Sequence, residues 1–202
     1  MAQSTFPFEG PRQYLEKAER ELTQLDEAVG PETGIPDETQ IADLTMNAAW
    51  TLWHVTDWIA NNATDPRCER IVASKGITAV DQKDRLRDFQ KALRRESPDL
   101  RHCWELATLF KHFALEPGTR RHGRIHKVYG STAISASLIR HGVDEQEDAS
   151  IIGAVTLSAV GPAPELRTLH PKIMDGDQSL RLTEIYYRAY GYLDGLLREQ
   201  GL

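Results

Sequence analysis

The chain has 202 residues, the size of one ordinary domain, and is long enough to bury a core without crosslinks. A composition 40% apolar and 27% charged excludes a wholly disordered chain, and no apolar run is long enough for a membrane-spanning helix. The net charge of −6 is uneven: residues 1–49 carry −7, residues 67–127 carry +7 and residues 128–202 carry −4. A basic middle between acidic ends either attracts phosphates locally or forms a solvated face that pairs with the acidic part.

Pro11 stands where a first helical residue belongs. Leu15, Ala18, Leu22, Leu25 and Val29 then recur at steps of 3 and 4, which predicts a helix of four to five turns, ended by Gly30 and Pro31. Asp37 and Gln40 form a capping-box pattern for a second helix over about 38–62. Ile41, Leu44, Ala48, Leu52, Val55 and Ile59 are its apolar stripe. At 100° per residue, Asn47, Trp50, His54, Asp57 and Asn61 fall nearly opposite, flanked by Trp53 and Trp58. A surface helix would carry Lys and Glu there, so this one is expected at the centre, contacted on more than one side, with His54 and Asp57 enclosed.

Residues 63–80 mix turn signals with short apolar runs and read as a connector. Asp81 opens a basic helix to about Arg95, marked by Leu86, Phe89 and Leu93. Ser97, Pro98 and Asp99 start another, to Ala114, which packs through Cys103, Leu106, Ala107, Phe110 and Phe113. Beyond Gly118 the segments KVYGSTAISASLI, ASIIGAVTLSAV and LRTLHPKIM are β-branched and separated by polar turns, which predicts a three-stranded antiparallel meander over about 124–174. A closing helix over about 178–199 carries Leu182, Ile185, Ala189, Leu193 and Leu196 on one face. The expected architecture is a single α+β domain, mainly α. Four N-terminal helices (about 11–115) form a bundle on which the closing helix packs.

Cys68 and Cys103 make neither a disulfide framework nor a CxxC metal pair, which fits a reducing compartment. The stretch MAQSTFPFEGPRQYLEK has no basic n-region and no apolar h-region, so a cytoplasmic location is expected.

The most reactive-looking segment is Arg121-His122-Gly123-Arg124-Ile125-His126. An imidazole titrates near neutral pH and a guanidinium offers a fork to phosphate oxygens, so the pair suits metal-independent phosphodiester chemistry. Arginine, a polar residue, three of any kind and then histidine resembles the motif of the HEPN superfamily of helical ribonucleases and nucleotide-binding proteins. That resemblance implies RNA or a nucleotide as partner and a homodimer that brings two motifs together. It implies Arg121 on the scissile phosphate, His126 in proton transfer, and no cofactor. Gly118 and Gly123 favour a loop or strand entry over the family's helix. A solvated basic loop, or non-catalytic anion binding through Arg124 and its neighbours, stands beside the nuclease reading.

AAWTLWHVTDWIA together with SPDLRHCWELATLFKHF is similar, over about residues 38–115, to HEPN-like helical proteins in which a His- and Asp-bearing helix packs beside one ending in Lys-His-aromatic. By that similarity the residues concerned are His54, Asp57, Lys111 and His112, and together with Trp50 they are candidates to line a ligand pocket. The alternative is a satisfied polar cluster that fixes helix register. A metal is not expected: His122 and His126 are four apart, but no HExxH or ExxH pattern accompanies them. Of Tyr186, Tyr187, Tyr190 and Tyr192, those not packed in the core are candidates for a dimer interface.

Overall fold

The computed structural model describes residues 8–30, 38–115, 128–130, 133–136, 155–160, 168–175 and 178–202. The protein is mostly helical. Its helices are α1 (Pro11–Val29), α2 (Glu38–Asn61), α3 (Pro66–Ser74), α4 (Gln82–Glu96), α5 (Pro98–Leu115) and α6 (Leu182–Arg198). The chain divides into two compact units. The first comprises Met1–Leu22, Asn47–Ala107 and Tyr186–Leu202, and the second Thr23–Met46 and Thr108–Ile185.

In the first unit the apolar stripes are buried as their periodicity demands. Leu15, Ala18 and Leu22 of α1, Leu52, Val55 and Ile59 of α2, Phe89 and Leu93 of α4, and Cys103 and Leu106 of α5 are all enclosed. From Ala48 to Ala60 every residue of α2 is at least partly covered, so this stretch is the central helix that the Trp-rich face predicts. On α6 the buried positions are Leu182, Ile185, Tyr186, Ala189, Leu193, Asp194 and Leu197. Leu196, placed on that face by the sequence, is only partly covered.

The expected connector contains α3. Asp65 caps it by accepting from the Arg67 N–H at 2.9 Å, and Pro66 supplies a preset φ at the first helical position. Cys68, Ile71 and Val72, at spacings of 3 and 1, are its buried face. The helix closes over Lys75, and Gly76 adopts φ of +73°, a left-handed conformation that suits glycine. Ion pairs tie this helix to its neighbours. Arg85 reaches Glu69 at 2.5 Å and the Ala60 carbonyl at 3.0 Å, and Lys75 reaches Glu96 at 2.5 Å. On α6, Arg188 grips Asp99 through two bonds of 2.9 and 3.0 Å, and Tyr192 donates to Glu96 at 2.7 Å.

The second unit contains five strand segments among the described residues: β1 (Val128–Gly130), β2 (Ala133–Ala136), β3 (Val155–Val160), β4 (Thr168–Asp175) and β5 (Gln178–Arg181). They pair antiparallel in chain order. A meander of three strands is therefore not shown. The first expected strand pairs with itself, Val128 opposite Ser135, because thirteen residues exceed an ordinary strand length. Gln178–Arg181 pairs with β4, with Leu180 opposite the buried Ile173, so α6 starts at Leu182.

Two outcomes follow for stability. Phe89 is fully buried, so Phe89→Ala is expected to lower the unfolding free energy by about 3–5 kcal/mol in a denaturant titration. The hydrogen bonds from Arg67 hold the Asp65 carboxyl down to about 2, and those from Arg85 hold Glu69 below its ordinary value. A depressed folded-state pKa stabilises above the unfolded value and is lost as pH falls through the folded one. Melting temperature followed by circular dichroism is therefore expected to fall between pH about 4 and about 2. Asp65→Asn, which keeps the cap but cannot titrate, is expected to flatten part of that fall.

Candidate functional site

The site lies on the C-terminal half of α2, where three helices of the first unit meet its polar and aromatic face. From α1, Lys17 donates to Thr51 at 2.6 Å and also pairs with Glu21, while Tyr14 lies 5.8 Å from Trp58. From α5, the Ala107 carbonyl accepts from Trp50 Nε1 at 2.9 Å, and Trp104 sits 6.3 Å from Trp53. Arg94 of α4 stacks 3.9 Å over Trp104, within cation–π range.

At the centre is a chain of hydrogen bonds. His54 Nδ1 and Asp57 Oδ2 are 2.5 Å apart. Asp57 Oδ1 accepts from Gln90 Nε2 at 2.7 Å, and the same amide donates to Thr56 Oγ1 at 2.9 Å. Thr56 in turn donates to the Trp53 carbonyl at 2.7 Å. With the carboxylate accepting at Nδ1, the network assigns the proton to that nitrogen and leaves Nε2 of a neutral imidazole as an acceptor. That is the relation of a base to the group that orients it. Proton transfer also needs a reacting group within about 3 Å of Nε2.

The side chains are less enclosed than the sequence predicts: 46% of His54 and 28% of Asp57 remain exposed. A helical wheel places both opposite the apolar stripe but does not say how far the neighbours reach. Gln90 reaches Asp57 from α4, and part of each side chain stays in solvent. The two cysteines are buried thiols, with burial pushing Cys68 up to about 11 and Cys103 higher still, so neither supplies a thiolate. Among the described residues no three His, Cys, Asp or Glu side chains gather as a metal site, and no helix is long and apolar enough to cross a membrane.

Of the expected ligand residues, Trp50, His54 and Asp57 share this face, with Trp50 anchored to a backbone carbonyl. Lys111 and His112 belong to α5 in the second unit, and their expected pairing with His54 lies outside the described side chains. Arg121, Arg124 and His126 lie outside the described residues. Part of the basic middle is neutralised locally, since Arg85 pairs with Glu69 and Arg87 with Asp84 and Asp88.

Gln90, Thr56 and Tyr14 were not singled out by the sequence. The available signal was weak: Gln90 is one of two amides among the many charged residues of α4. Burial raises the pKa of Tyr14, and the charges of Glu21 and Asp57 add to the rise. Phe8 stands edge-on to its ring at 5.5 Å. Beside this group an open depression of about 370 Å³ is bordered by Glu9, Asp57, Trp58, Asn61 and Asn62. No protein-family model, curated protein or solved structure matches the chain.

The His54–Asp57 contact, with both side chains partly in solvent, is expected to contribute as an exposed contact, not a buried one. A double-mutant cycle of His54→Ala and Asp57→Ala, followed by chemical denaturation, should return a coupling of about 0.2–1 kcal/mol.

Proposed function

We propose that the chain is a non-enzymatic helical binding protein whose His/Asp/Trp cluster fixes helix register and borders a small ligand-accepting surface. The observation that carries this reading is the closure of the cluster upon itself. Asp57 holds His54, Gln90 holds Asp57 and Thr56, and Trp50 is tied to Ala107. Such bonds suit a structural lock, because those of Trp50, Thr56 and Asp57 each tie the central helix to a neighbouring one.

The spacing of Arg121 and His126 favours a second reading, a HEPN-like protein that binds or cleaves RNA or a nucleotide. In it the protein acts as a cytoplasmic homodimer. Arg121 binds phosphate, Arg124 adds positive charge, and His126 moves the proton without a metal. One assay separates the two. Wild type and His126→Ala are incubated with structured and single-stranded RNA in EDTA, and the products are resolved on a gel. The binding-protein reading expects no cleavage above buffer from either. Cleavage by wild type that falls at least about 100-fold in His126→Ala would establish the nuclease and overturn it.

A further inference from the structure

The depression beside Trp58 has a chemistry that the hydrogen-bonded cluster does not use. Its border holds two carboxylates, Glu9 and Asp57, the indole of Trp58 and the amides of Asn61 and Asn62, with no lysine or arginine among them. The nearby Lys17 is engaged by Glu21 and Thr51. Asp57 is not saturated by its partners. An ionised carboxylate has about four acceptor positions, and His54 and Gln90 occupy one each. Asn61 accepts from Gln82 at 3.0 Å and Asn62 from Thr64 at 3.1 Å, which orients both amides.

We propose that this depression binds a small organic ammonium ion. An anion would meet two negative side chains and no compensating cation. A hard metal ion would need about six oxygen ligands, whereas one border here is an indole. An alkylammonium matches both parts: its charge faces the carboxylates, and its polarised C–H groups lie against the electron-rich ring of Trp58. A volume of about 370 Å³ lies at the small end of ligand pockets, suited to a short amine. The position of Trp58 is set by Tyr14, whose ring is tilted 34° to it. The segment carrying Glu9 is tied to α1, because the Glu9 N–H donates to Gln13 Oε1 at 2.8 Å. The proposal rests on the binding-protein reading, and names the class of its ligand.

The test is an NMR titration of the full chain with n-butylammonium chloride, and with n-butanol as the neutral match. The expected result is a saturable shift of the Trp58 indole and of the Asn61 and Asn62 side-chain amides with the amine alone. Because Asp57 also supports His54, the informative variants are Glu9→Gln and Trp58→Leu. Each should weaken the amine about five-fold or more, whereas Asp99→Asn, which removes an equal charge outside the depression, should not. Equal shifts with n-butanol, no saturable shift with the amine, or indifference to both Glu9→Gln and Trp58→Leu would overturn the site. The parent reading is judged apart from it. A chain inert to RNA that also ignores n-butylammonium loses this site and keeps the binding-protein reading. RNA cleavage that depends on His126 removes that reading, and the titration then decides the site by itself.

Discussion

Between Ala48 and Ala60 every side chain of α2 is at least partly covered, so each polar group there must find a partner within the protein or at a narrow solvent edge. That constraint organises the first unit. Thr51 takes Lys17 from α1, Thr56 and Asp57 take Gln90 from α4, and Trp50 takes a main-chain carbonyl of α5. Each contact fixes the rotation of one neighbour about the central helix. Apolar burial brings the helices together but tolerates small slips. Directional bonds at these points select one register.

The same constraint shapes what the surface can do. Gln90 holds Asp57 of the His54–Asp57 pair, and both side chains stay partly open to water. An exposed carboxylate next to an indole is then a by-product of how the central helix is held. The hydrogen-bonded cluster and the proposed ammonium site share Asp57.

The regular helices were legible because burial on one face leaves a period that can be counted. Leu15, Ala18 and Leu22 are buried as their spacing requires. The central role of α2 was legible from the absence of Lys and Glu on its second face. The short α3 was not, because Asp65-Pro66 signals a turn as readily as a helix start, and nine residues hold too few apolar positions to show a period. The depth of His54 was misjudged for another reason. Angle about the axis is encoded locally, whereas coverage depends on α1, α4 and α5, whose reach appears only in three dimensions. His102 and Glu105, both on α5, are buried despite their polarity, which a hydrophobic pattern cannot reveal. The segment carrying Arg121, Arg124 and His126 lies outside the described residues.

Residues far apart along the chain close the first unit. Arg12 binds Asp194 at 2.5 Å and the Leu202 carbonyl at 2.6 Å, while Arg67 and Arg70 reach Gly201 and Gln200. Three separate stretches of sequence build this unit, and α6 is the last of them to be synthesised. On the ribosome, α1 to α5 therefore emerge with the α6-facing part of their core still uncovered, and wait through some eighty further residues for the helix that seals it. Partners separated by more than 180 positions also make this a slow contact to form, since a long loop must close before it contributes. A nascent chain at that stage would display apolar surface beside an Arg12 still without Asp194, the kind of surface that chaperones hold until α6 emerges.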